Sequence, residues 1–140
     1  MGEFAEVARV LGLKNEPVSG VGYLELVDKG FPIKSLDLIS TFLAPGDVTF
    51  KYRIVSKASL ARRKPQHRLS AGHSVVISRL ASVWATALRI WKSEEAARDF
   101  LYRRHPLLDQ RRPIDLVLEN EIGAELVKSV LGRLEYGSAV

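Results

Sequence analysis

The residue types best suited to chemistry in this chain of 140 residues lie in the run Ser56-Lys57-Ala58-Ser59-Leu60-Ala61-Arg62-Arg63-Lys64. Ser56, Lys57 and Ser59 at the start of a short helix can reach base edges and phosphates. Arg62, Arg63 and Lys64 behind them can clamp a phosphate backbone. The same run also reads as a solvated basic helix. Other reactive residue types are poorly placed for catalysis. His67, His73 and His105 form no His-x-x-x-His pair and have no cysteine or clustered acids beside them, so no metal site is expected. Gly20-Val21-Gly22 is too short for a phosphate loop and precedes no Lys-Ser/Thr. The acids Glu94-Glu95 and Glu119/Glu121 stand at helix starts, where the helix dipole favours negative charge. With no nucleophile–base pair in view, neither an enzyme nor a cofactor is expected.

Composition narrows the class further. A hydrophobic share of 46% with 26% charged residues is that of a folded chain, not a disordered one. There is no cysteine, which removes disulfide frameworks and thiolate metal sites and fits a reducing compartment. The start, Met1-Gly2-Glu3-Phe4-Ala5-Glu6, is acidic where a signal peptide is basic. Arg79 and Arg89 break the most apolar stretch, Ser74 to Trp91, so no membrane span and a cytoplasmic location are expected. Net charge is +5 and unevenly spread: residues 51–112 hold fifteen basic against four acidic residues, the rest six against twelve. A basic middle between acidic flanks points to a polyanion surface on one face.

Hydrophobic spacing and caps predict helices nearly throughout. Phe4, Val7, Ala8 and Leu11 mark a short amphipathic helix, and Lys14 to Gly22 reads as a linker. Tyr23 to Val27 fits strand or helix. Ser35 or the turn before it caps a helix through Leu36, Ile39, Phe42 and Leu43, stopped by Pro45-Gly46. Val48, Phe50, Tyr52 and Ile54 alternate like a strand. Ser56 caps Lys57 to Lys64, and Ser70 caps the longest helix, to about Lys92, with Val76, Leu80, Val83/Trp84, Ala87 and Trp91 as its core stripe. Ser93 starts a helix ending before His105-Pro106, and Pro113 opens a short one. The last runs from Glu121 to Glu135, with Ile122, Leu126, Val130 and Leu134 in register and Gly137 as its C-cap.

Two resemblances follow from these elements. Ile54 to Lys64 resembles a helix-turn-helix recognition helix, in which Leu60 would anchor to the core. Many such units have glycine where Ile54 falls, because their turn needs positive φ; a β-branched residue there implies a longer or altered turn. The second resemblance lies at the end of the chain. Arg112-Pro113-Ile114-Asp115-Leu116-Val117 and Leu131-Gly132-Arg133-Leu134-Glu135-Tyr136-Gly137 resemble the C-terminal toxin-binding domain of the Xre/MbcA/ParS antitoxins. Arg68-Leu69-Ser70, Ile77-Ser78-Arg79-Leu80-Ala81 and Glu94 to Leu101 are similar to that family's preceding helices. The likeness spans about 68–138 well and 31–67 loosely; for Val48 to Ile54 it favours a helix.

The resemblance implies an all-α protein: an N-terminal helix and linker (1–30), an Xre-like helix-turn-helix region (31–67) packed with a C-terminal toxin-binding domain (68–140). It implies a type II antitoxin that occludes the active site of a RES-type, NAD-consuming toxin and represses its own operon by binding operator DNA. Self-association as a homodimer or higher oligomer is expected. The implied toxin contacts are Arg112, Arg133, Glu135, Tyr136 and Gly137, and Arg and Tyr dominate binding hot spots; Tyr136 also reads as a last-turn core plug. The DNA contacts would be Ser56, Lys57, Ser59, Arg62, Arg63 and Lys64. One rival is a helix-turn-helix regulator with no toxin, its C-terminal domain serving dimerisation; the other is a small enzyme with an unrecognised site.

Overall fold

The computed structural model describes residues 3–13 and 19–137, and among them the protein is all-α, with two isolated antiparallel bridges and no strand. Of the linker expected from Lys14 to Gly22, residues 14–18 lie outside the described residues. The chain divides into two compact units, Met1–Ala81 and Ser82–Val140.

In the first unit, α1 (Glu3–Val10) buries Ala5, Val7 and Ala8. Helix α2 (Gly20–Lys29) takes in Gly20 to Gly22 and the stretch that fitted strand or helix, and Ser19 Oγ caps it by accepting from Gly22 N at 3.0 Å. Gly30 ends α2 at φ +98, where a Cβ would meet the Leu69 carbonyl oxygen at 2.0 Å, so only glycine fits. Beyond it Phe31 and Leu69 pair through a backbone bond, Leu69 N to Phe31 O at 2.8 Å.

Helix α3 (Ile33–Leu43) begins three residues earlier than a Ser35 cap would set, after Pro32. Ser35 does not cap: it is buried, and its hydroxyl donates to Leu11 O at 2.7 Å. The partner arrives from 24 residues upstream, which no local rule reveals. The alternating stretch Val48 to Ile54 forms a 3-10 turn over Phe50–Arg53. Phe50 is buried while Val48 is 81% exposed, so the alternation does not mark a sheet face.

Helix α4 (Lys57–Arg63) is capped by Ser56, whose Oγ accepts from Ser59 N at 3.1 Å. Helix α5 (Ala71–Trp91) starts at Ser70, whose Oγ accepts from His73 N at 3.1 Å. In the first unit its buried line runs through Ser74, Ile77, Leu80 and Ala81, with Ile77 in the place expected for Val76. Ser74 Oγ accepts from Phe31 N at 2.8 Å and donates to Ser70 O at 2.8 Å. Phe31, Leu36, Ile39, Leu43 and Leu69 are almost wholly buried, at roughly 1.5–3 kcal/mol per side chain before entropy costs.

In the second unit, α5 continues through Val83, Trp84 and Ala87, all buried. Trp91 is not on that core line; it is 38% exposed and packs on Phe100. Helix α6 (Glu94–Tyr102), capped by Ser93, buries Ala97, Phe100 and Leu101. A 3-10 turn over Pro106–Leu108 then lets His105 and Arg111 bridge. Helix α7 (Pro113–Glu119) has proline at its first position, and α8 (Glu121–Glu135) follows after Asn120, whose Oδ1 accepts from Gly123 N at 2.9 Å.

Candidate interaction surfaces

The register expected for α8 is the main correction. Gly123, Ala124, Val127, Val130 and Leu131 face the core, while Ile122 is 71% and Leu126 49% exposed. Apolar residues spaced by four overshoot a 3.6-residue turn by about 40° per step, so a line of four such residues spirals from one face to another. The line Ile122–Leu126–Val130–Leu134 therefore starts in solvent and ends at the packed side. On the exposed face, spacings of four, three, four and three connect Ile122, Leu126, Ser129, Arg133 and Tyr136. Tyr136 is 83% exposed, so it is no core plug. Two aliphatic side chains thus lie in line with two of the expected contact residues. Their signal in the sequence is the alternating spacing itself, once Gly123 and Ala124 are taken as the close-packed side.

The other expected contacts at this end are differently occupied. Glu135 Oε2 accepts from Arg89 Nη1, which ties the last turn of α8 to the end of α5. Gly137 has φ +72 and donates from its N to Leu134 O at 3.2 Å, closing the helix. Arg112 precedes α7 and grips Asp115 with both arms, Nε to Oδ2 at 2.9 Å and Nη2 to Oδ1 at 3.1 Å. Its guanidinium lies over the Tyr102 ring, 5.9 Å from the centroid. The hydrogen-bonded carboxylate raises the Arg112 pKa further above its ordinary value. Arg112 holds the start of α7, away from the α8 stripe in sequence and in role.

The first unit carries the basic surface. From Val48 through Ser93 there is no acidic residue. Lys57, Arg62 and Lys64 are exposed, and Lys57 Nζ lies 5.1 Å from the Tyr52 ring centroid. Ser56 is spent on the cap, and Ser59 Oγ accepts from Arg62 Nη2 at 3.1 Å. Arg63 turns inward: Nε donates to Arg68 O at 2.9 Å and Nη2 to Leu69 O at 3.3 Å. Ile54 has φ −99, so the turn before α4 is right-handed and accommodates a β-branched residue without strain. The arrangement can hold a polyanion through exposed cations, with Arg63 shaping the loop behind them.

Among the described residues no group of three or more His, Cys, Asp or Glu is placed to hold a metal ion, and no helix is long and apolar enough to cross a membrane. Comparison with curated proteins gave no match. Residues 86–137 match the family model of the antitoxin Xre/MbcA/ParS C-terminal toxin-binding domain.

Proposed function

We propose that this chain, whose residues 86–137 match the model of the antitoxin Xre/MbcA/ParS C-terminal toxin-binding domain, is the antitoxin of a type II toxin–antitoxin system, acting by occlusion of its toxin. The observation that carries this reading is the coincidence of that match with the exposed stripe of α8. Ile122, Leu126, Arg133 and Tyr136 offer aliphatic, cationic and aromatic contact on one helix face, and Arg and Tyr are among the residues that dominate binding hot spots. An antitoxin needs no chemistry of its own, only a surface that outcompetes the toxin's substrate. We assign the toxin to the RES class, consuming NAD, on the strength of the sequence resemblance around Arg112–Val117 and Leu131–Gly137.

The basic face of the first unit supports a second activity, binding of operator DNA through Lys57, Arg62 and Lys64, by an oligomer of the chain in a reducing cytoplasm. The same face favours the rival reading, a DNA-binding regulator without a toxin. Co-expression with the product of the adjacent reading frame separates them. The expected result is restored growth and co-purification with the full chain, and loss of both on truncation before Arg133 or with Leu126→Glu. A harmless neighbour that does not co-purify overturns the antitoxin reading and leaves the regulator.

A further inference from the structure

A cavity of about 210 Å³ lies at the end of α8 in the second unit, walled by Trp91, Ala96, Phe100 and Leu134. Asp99, Arg103 and His105 complete its lining. Its lining is mainly apolar, and all of it falls within the matched segment 86–137. Trp91 and Phe100 meet at 6.0 Å between centroids with planes 33° apart, and His105 meets the edge of Phe100 at 6.1 Å. The cavity is smaller than the roughly 300–1,000 Å³ of sites that hold metabolites or cofactors, and it suits a single large side chain.

We infer that this slot takes one aromatic side chain of the partner toxin. The inference rests on the antitoxin reading and names a feature of the toxin that fits this protein. Three observations argue for that occupant. Leu134, a wall of the slot, belongs to α8, and every residue of the lining lies within the segment that matches the toxin-binding domain. Trp91, Phe100 and His105 give the slot an aromatic lining, against which an entering ring would find the centroid separations of about 4.5–7 Å that tilted or edge-on aromatic pairs favour. Asp99 and Arg103, paired at 2.8 Å and both exposed, add an acceptor and a donor to the lining for the polar tip of a Tyr or Trp. A half-exposed tryptophan beside an apolar hollow is the arrangement that a partner's anchor residue completes.

Ala96→Leu in the full chain fills the slot from α6 with a good helix former. Binding to the co-encoded protein is measured by calorimetry, with thermal melting as the folding control and indole as a probe of the slot by NMR. The slot assignment expects at least a tenfold loss of affinity for Ala96→Leu with an unchanged melting temperature. It also expects indole to shift the signals of Trp91, Phe100 and Leu134 in the native chain and not in the variant. Native-strength binding by Ala96→Leu while Leu126→Glu fails overturns the slot and leaves the antitoxin reading standing. Absence of binding by the native chain overturns both. Self-association of the native chain that Ala96→Leu abolishes would make a second copy the occupant, and overturns the inference too. If Ala96→Leu does not fold, Trp91→Ala takes its place, with the same tenfold loss expected and native-strength binding decisive against.

Discussion

Gly123 of α8 lies against the backbone of Leu116 in α7 so closely that a Cβ would stand 1.9 Å from the Leu116 carbonyl oxygen. That approach fixes the face that α8 turns inward, and with it the face it presents outward. Gly132, nine residues on in the same helix, has nothing within 4 Å of where its Cβ would be. The two glycines should respond to alanine with opposite signs. Gly123→Ala must displace backbone and is expected to cost about 3 kcal/mol. Gly132→Ala is expected to gain up to about 1 kcal/mol from helix propensity. Chemical denaturation of both variants checks the pair; equal effects would mean that α7 does not set the register of α8.

Exposure predicts how the α8 stripe should answer mutation. Ile122, Leu126 and Tyr136 contribute little core burial, so Leu126→Glu and Tyr136→Ala should change stability by no more than about 0.5 kcal/mol. If the stripe is the toxin-binding face, each should weaken toxin binding by about 2 kcal/mol, roughly thirtyfold. Calorimetric titration beside thermal melting separates the two readouts. Lost stability without lost binding would return these residues to a structural role.

The cations of the first unit should split into two groups. Arg62→Ala and Lys64→Ala should lower DNA affinity and reduce the salt slope by about 0.9 for each phosphate no longer neutralised, with stability unchanged. Arg63→Ala removes two bonds to the carbonyls of Arg68 and Leu69 and should lower stability by about 1–2 kcal/mol. Fluorescence anisotropy across a salt series and melting curves distinguish them. A stable Arg63→Ala variant with a changed salt slope would place Arg63 among the phosphate-binding cations.

Tyr23 gives a pH prediction. Its hydroxyl shares a 2.5 Å hydrogen bond with Ser78 Oγ, and burial raises its pKa above the ordinary value of 10.0. The folded state thus favours the neutral phenol. Its contribution is fully present below the unfolded value and is lost as pH rises through the folded one. The native chain should therefore lose stability above about pH 10 more steeply than Tyr23→Phe. Tyr23→Phe itself should cost about 1 kcal/mol at neutral pH, for the bond to Ser78. Denaturation at about pH 7 and about pH 11, on either side of the phenol's titration, tests both. Parallel losses would exclude Tyr23 as the titrating group.

What the amino-acid sequence determined by itself is local. Ser56, Ser70 and Ser93 mark helix starts because a cap bonds a backbone N–H three residues on. Pro113 and the span Glu121–Glu135 are legible for the same reason: proline at a first turn and the stop at Gly137 act within a few residues. The motifs at 112–117 and 131–137 are contiguous, so the likeness that residues 86–137 bear to the family model could be read from them. Tertiary structure alone decided which faces those helices bury. In α8 two apolar lines were available, and the close approach of Gly123 to Leu116 selected one and left Ile122 and Leu126 outside. Ser35 serves Leu11 rather than a cap, Arg63 serves the 68–69 carbonyls, and Arg112 serves Asp115. Trp91 leaves the core line to wall a slot that it shares with Leu134, 43 residues further along the chain. Each of these depends on where another part of the chain arrives, and helical spacing carries no information about that.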